Sequence, residues 1–219
     1  MRIRPGLPSP EVLLAVTAAI LYGWGGALPD GWTRTLVKMT PAMALAVFTV
    51  RRSGTAGWPV AVGLAWHAAG DGLLDLGERT FLAGLGAFLV GHLFYGGAFA
   101  ARLERLAQVP PWRRLAAAAV VLLSGGVLIA IFPALKGALA VAVPLYSATL
   151  GGMVVLALLA RWKSPRVPIG ALSFLISDAC LGLGLFGPAS LAFARAIVWP
   201  TYAAAQVLIA TGFVAECRD

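Results

Sequence analysis

A chain of 219 residues, 60% hydrophobic and only 12% charged, with a mean hydropathy of +0.87, is far too apolar for a soluble domain and reads as an integral membrane protein. Its formal charge of +8 and isoelectric point near 10.3 would suit a nucleic-acid partner only if the basic residues were clustered. They are scattered among short connections, which excludes nucleic acid and leaves the bilayer as the expected surrounding.

A helical span needs about 20 mostly apolar residues, so this length admits about eight spans. The expectation is an all-α polytopic bundle forming a single transmembrane domain over residues 1–219, with no water-exposed module. Arg2 and Arg4 precede a long apolar stretch, as in a secretory leader, but its exit, Gly-Gly-Ala-Leu-Pro-Asp-Gly, is a poor cleavage site. It is expected to be retained as span one, residues 11–28, ended by the turn cluster Pro29, Asp30 and Gly31. Span two, 35–50, is short, contains Lys38 and Pro41, and closes on Arg51 and Arg52. Spans three (58–76) and four (80–101) are joined so tightly through Gly77, Glu78 and Arg79 that they must form an antiparallel hairpin. The longest polar stretch, 102–114, divides the chain nearly in half. Spans five (115–132), six (137–160, with Pro144 and Tyr146), seven (167–186) and eight (190–215) follow.

Eight spans put both termini on one side. That side collects 12 of the 17 basic residues and the other side 5, so the positive-inside rule makes both termini cytoplasmic. The expected location is the inner, or plasma, membrane of a bacterium. Small-Asp-x-x-Leu recurs at Asp71 and Asp178, 107 residues and four spans apart, which suggests two parallel four-helix repeats, 11–101 and 115–215.

Those two aspartates organise the reading. Asp71 lies in W-H-A-A-G-D-G-L-L-D, and Asp178 in F-L-I-S-D-A-C-L-G, both apolar enough to sit in lipid. An intramembrane carboxylate costs a few kcal/mol on insertion scales, so it is a functional candidate by default. Low dielectric disfavours the charged form of a carboxylate unless a cation or several donors hold it, and two acids in different surroundings can divide the roles of acid and base. The simpler alternative is that each hydrogen-bonds a neighbouring helix. His67 precedes Asp71 by one helical turn and is read either as tuning it or as bonding a backbone carbonyl. His92 and Tyr95 form a polar stripe on span four that, with Gly91, Gly96 and Gly97, suits close helix approach; the alternative is an interfacial Tyr and a packed His. Lys38 either snorkels outward or turns in as a counter-ion for an aspartate or a phosphate. Tyr146 after Pro144, and Tyr202 with Gln206 after Pro200, place phenol and amide groups inside spans, where they need partners. Ser177 adjoins Asp178. Arg195, near the outer end of span eight, is read as binding a headgroup or, more simply, as snorkelling, and Asp75 and Glu78 as solvated near the turn. Cys180 and Cys217 have neither metal nor redox spacing and are read as packing residues. No metal and no cofactor is expected, since no zinc-ligand spacing and no nucleophile elbow occurs.

At these residues the chain resembles the YhhN-like family, which includes the lysoplasmalogenases. The resemblance rests on G-D-x-L-L at 70–74, H-L-x-Y at 92–95, the 144–147 stretch, F-L-I-S-D at 174–178 and Y-A-A-A-Q-V-L-I at 202–209, in that order. It implies an eight-span hydrolase that cleaves the vinyl ether bond of lysoplasmalogens to a fatty aldehyde and glycerophospho-ethanolamine or -choline. By that resemblance Asp71 and Asp178 are the catalytic groups; Lys38, His92, Tyr95, Tyr146, Ser177, Tyr202 and Gln206 are the candidates for binding or supporting the lysophospholipid. His67, with Ala68 and Ala69 after it, departs from what the family leads one to expect, so any role of His67 is particular to this chain.

The chemistry suits the residues. Protonation of the vinyl ether β-carbon needs an acid that keeps its proton near neutral pH. A second carboxylate would stabilise the oxocarbenium ion and take a proton from the attacking water. The more apolar approach through Phe174, Leu175 and Ile176 favours Asp178 as the acid. The same acids would also serve a proton-coupled carrier of a small amphiphile, and a lipid-binding scaffold is the third reading. Headgroup, chain length and oligomeric state carry no sequence signature.

Overall fold

The computed structural model describes residues 9–23, 28, 31–187 and 191–217, without the side chains of 191–195. Eight α-helices run through the described residues: α1 (Pro10–Gly23), α2 (Trp32–Ser53), α3 (Trp58–Asp75), α4 (Phe81–Ala100), α5 (Pro111–Ile131), α6 (Leu139–Leu159), α7 (Arg166–Phe186) and α8 (Leu191–Glu216). The all-helical bundle expected from composition is therefore present. By length and composition alone, five helices can cross a membrane: α4 to α7 and the 196–216 part of α8. Helix α1 is shorter, and α2 and α3 carry the charged and polar residues that dilute their hydropathy.

Helix ends follow local chemistry. Gly54, with φ of 54°, stops α2, and Gly77, with φ of 107°, reverses the chain between α3 and α4; both are conformations that a side chain disfavours. Helix α5 starts at Pro111 rather than at the expected 115, because a proline in the first turn loses no intrahelical bond. Helix α2 is longer than the expected 35–50: the chain stays helical through the buried Pro41, with α1 and α3 packed beside it. The tail of the expected first span, 24–27, lies outside the described residues.

The expected linker 102–114 is not a free loop. Arg113 donates from Nε to the Leu158 carbonyl oxygen at 2.7 Å and from Nη2 to that of Ala160, capping the C-terminal end of α6. Glu216 at the end of α8 accepts from the Lys163 backbone N–H at 2.7 Å, and Arg102 lies 3.9 Å from the same carboxylate. With Glu104 between Arg113 and Arg161, these groups form a charged belt at the end of the bundle that also holds Glu11 and Arg51. The opposite end holds Tyr22, Thr35, Lys38 and Asp75.

Between the belts, α3 and α4 meet through glycines seven residues apart on each helix. Gly63 and Gly91 oppose one another, as do Gly70 and Gly84. A Cβ on Gly91 would sit 2.4 Å from the His67 ring and 3.0 Å from the Gly63 carbonyl oxygen. Close backbone approach of this kind is how helices associate where no hydrophobic force separates them from lipid. Gly97, expected to share that role, has open space around it. Helix α5 packs chiefly on α6 and α7, and Leu115, Val121, Leu122 and Ile129 are exposed on its outer face. Gly91→Ala overpacks a rigid contact and is expected to destabilise the bundle by about 1–3 kcal/mol; an unfolding midpoint in detergent equal to wild type would contradict the packing described.

Candidate functional site

The polar residues of the bundle interior, buried or half-buried, are not scattered. His67 and Asp71 come from α3, His92 and Tyr95 from α4, Tyr146 from α6, Ser177 and Asp178 from α7, and Tyr202 and Gln206 from α8. The period of 3.6 puts His67 over Asp71 and Tyr202 over Gln206 on their helices, so α3 and α8 present paired groups to each other. Asp71 is 3% exposed, and its Oδ2 accepts the Tyr202 hydroxyl proton at 2.6 Å. Gln206 Nε2 donates to the Tyr202 oxygen at 3.1 Å and lies 3.0 Å from His67 Nδ1, while the Tyr95 hydroxyl donates to Gln206 Oε1 at 2.7 Å. His67 therefore meets Asp71 only through Gln206 and Tyr202, not directly across its own helical turn.

A second arm reaches the other carboxylate. Tyr146 hydrogen-bonds to Asp178 Oδ2, and His92 Nε2 lies 3.2 Å from the Tyr146 hydroxyl. Ser177 does not face that arm; its hydroxyl donates to the Val198 carbonyl oxygen at 2.9 Å and pins α7 to α8 beside Asp178. Phe174, one helical turn before Asp178, fills the space between the arms. Its ring centroid lies 4.7 Å from that of His92, 5.2 Å from His67 and 5.3 Å from Tyr202. The two imidazoles are 4.9 Å apart.

Asp71 and Asp178 line one cavity of about 370 Å³, within the usual size of a small-molecule site. Tyr146, Tyr202 and Lys38 share the wall, which is otherwise mostly apolar, with Phe81, Phe88, Leu150 and Phe186 among its residues. It occupies the half of the bundle away from Glu11 and Glu216, being built from the C-terminal parts of α3, α5 and α7 and the N-terminal parts of α4, α6 and α8. Leu123 on α5 and Ile176 and Leu185 on α7 line it yet are exposed on the outer surface, so its wall is continuous with the lipid-facing side there. His92, Tyr95 and Gln206 stand behind the wall rather than in it.

Lys38 turns inward. Its Nζ lies 3.6 Å from Asp75 Oδ1 and 5.7 Å from the Tyr22 ring centroid, and its stem reaches the cavity. Asp75 is thus not solvated as its place near the turn suggests: its side chain is 10% exposed, and it also accepts from Thr35 Oγ1 at 2.7 Å and from the Tyr22 hydroxyl at 3.3 Å. Packing of α1 and α2 over the end of α3 excludes water from it, whereas Glu78 one turn on is exposed. The side chain of Arg195 lies outside the described residues. Ser124 on α5 escaped the sequence reading. Its hydroxyl is buried in the cavity wall and has no hydrogen-bond partner among the described residues; a serine between leucines and glycines in a span gives no signal of its own. Among the described residues no group of three His, Cys, Asp or Glu side chains could hold a metal.

The match to known proteins now has a geometry to attach to. The profile of the YhhN family covers residues 33–213, from the start of α2 to near the end of α8. The chain belongs to the YhhN family. Curated relatives of this YhhN protein include a protein named lysoplasmalogenase from Mycobacterium tuberculosis, 32% identical over 95% of this chain and 88% of the relative. Another is the human protein named lysoplasmalogenase TMEM86A, 29% identical over 90% of this chain and 84% of the relative. The mouse protein named lysoplasmalogenase TMEM86B is 32% identical over 81% and 74%. No solved structure matches the chain.

The two tyrosines serve carboxylates in unequal settings: Asp71 is buried, and Asp178 is half-buried at the cavity. Tyr202→Phe removes a donor that little can replace and is expected to cost about 1–3 kcal/mol of stability, while Tyr146→Phe, where water in the cavity can substitute, should cost less. Unfolding midpoints of the two purified variants in the reverse order would refute this ranking.

Proposed function

We propose that this chain is an intramembrane hydrolase that cleaves the vinyl ether bond of lysoplasmalogens, with Asp71 and Asp178 as its acid–base pair. The observation that carries the reading is that the two carboxylates, from helices 107 residues apart in sequence, line the same mostly apolar cavity. The family and the printed names of its curated relatives supply the reaction class.

One carboxylic acid gives its proton to the β-carbon of the vinyl ether, producing an oxocarbenium ion. The other carboxylate stabilises that ion and takes a proton from water as the water adds to the α-carbon. The resulting hemiacetal collapses to the fatty aldehyde and a glycerophospho-alcohol. The apolar wall suits the hydrocarbon chain, which enters from the bilayer past Leu123, Ile176 and Leu185. Lys38, held by Asp75, offers a cation to the phosphodiester at the polar end. With 12 of 17 basic residues on the side of the termini, both termini lie in the cytoplasm of a bacterial cell, and the cavity draws on the leaflet across the membrane from them.

Asp71→Asn and Asp178→Asn should each fold and lose aldehyde release from a lysoplasmalogen by about 10²-fold or more; full activity in both would end the proposal. Uptake of unaltered lysolipid by proteoliposomes, with no aldehyde formed, would support a carrier instead. Lys38→Met should raise KM about tenfold while kcat changes little, because the phosphodiester is bound alike in ground and transition states. A pure kcat defect would remove Lys38 from headgroup binding.

A further inference from the structure

A hydroxyl on a helix surrounded by lipid commonly bonds the carbonyl one turn back, because no water is there to serve it. Thr40, Thr49, Thr149, Thr201 and Thr211 all do so, at 2.6 to 2.8 Å. Ser173 and Ser177 donate to carbonyl oxygens of α8 instead. Two serines of the cavity wall differ. Ser124 on α5 and Ser147 on α6 make no hydrogen bond to any described residue, although the Ser124 oxygen is buried, and both residues line the cavity that Asp71 and Asp178 share.

The two serines meet at one place between α5 and α6. Ser147 and Gly151 are four residues apart on α6 and so lie on one face of it. Ser124 packs against that face, since a Cβ on Gly151 would sit 3.4 Å from Ser124 Oγ. Ser147 also follows Tyr146, and neighbours on a helix are about 1.5 Å apart along its axis. It therefore stands level with the contact between Tyr146 and Asp178.

A lysoplasmalogen brings three kinds of polar group to this cavity. The vinyl ether goes to the two carboxylates and the phosphodiester to Lys38, which leaves the free hydroxyl on the second glycerol carbon. That carbon is bonded to the one bearing the ether oxygen, so its hydroxyl enters the cavity whenever the ether reaches the aspartates. A hydroxyl has one proton to give and can accept two, and two serine hydroxyls can take the proton and donate to the oxygen at once. We propose that Ser124 and Ser147 bind the free glycerol hydroxyl of the lysolipid and thereby select it over lipids that carry an acyl chain at that carbon; this rests on the hydrolase reading given under Proposed function. An ester oxygen there has no proton to give, and its acyl chain would have to share the space that α5 and α6 leave for a hydroxyl.

The test compares two substrates in detergent micelles with the full chain: a 1-alkenyl lysophosphatidylethanolamine and its analogue lacking the hydroxyl on the second glycerol carbon. Wild type should prefer the hydroxyl substrate by about tenfold in kcat/KM. Ser124→Ala with Ser147→Ala should lose about that factor on the hydroxyl substrate and little on the analogue, so that the preference disappears. Because the two hydroxyls have no bond within the fold to lose, the double variant should unfold in detergent at the wild-type midpoint or above it. Equal losses on both substrates would overturn the assignment and put the serines on the attacking water, and a clearly lowered midpoint would overturn it by showing that the hydroxyls hold the fold. If wild type releases aldehyde equally fast from both substrates, only the hydroxyl site fails. If it releases aldehyde from neither, the hydrolase reading fails with it.

Discussion

A carboxyl group can be kept inside a bundle of apolar helices only if another helix brings it a hydrogen-bond donor, because neither lipid nor a dry interior supplies one. Here each aspartate meets that condition with one tyrosine hydroxyl from a different helix, Tyr202 for Asp71 and Tyr146 for Asp178. Both tyrosines stand two residues after a proline inside their helices, Pro144 in α6 and Pro200 in α8. The tie between α3 and α8 and the tie between α6 and α7 are thus the same kind of contact made twice. They hold the two carboxylates at one cavity while most of the remaining surface is left to lipid.

The supports behind those ties depend on close backbone contact. Because Gly63, Gly70, Gly84 and Gly91 let α3 and α4 approach, His67 and His92 are drawn into one layer with Phe88 and Phe174. Flat rings packed at 4.7 to 5.3 Å leave little freedom for the imidazoles to turn. One nitrogen of each imidazole consequently has a defined partner, Gln206 for His67 Nδ1 and Tyr146 for His92 Nε2. Fixing such groups on rigid helices is what the proposed acid–base chemistry in a water-poor site would require.

The charged residues divide the remaining work by position. Arg102, Glu104, Arg113, Arg161 and Glu216 clasp the connections at the end that holds Glu11, and Arg113 caps carbonyls that the end of α6 would otherwise expose. Lys38 and Asp75 sit at the other end, where the cavity is. One end is built for closure, the other for access.

Composition and spacing alone determined the all-helical membrane bundle, most helix bounds to within a few residues, the α3–α4 hairpin and the conspicuous intramembrane polar residues. These follow from apolar run length, turn residues and the rarity of ionisable groups in lipid, all of which are local properties. What the chain order does not carry is pairing. That Tyr202 serves Asp71, that His67 reaches it only through Gln206, that Lys38 joins Asp75, and that Ser124 enters the cavity wall depend on helices distant in sequence lying side by side. Helical periodicity gives each residue a face but not the neighbour that face will meet. Only packing of the eight helices decides that, and with it the direction in which each hydroxyl points.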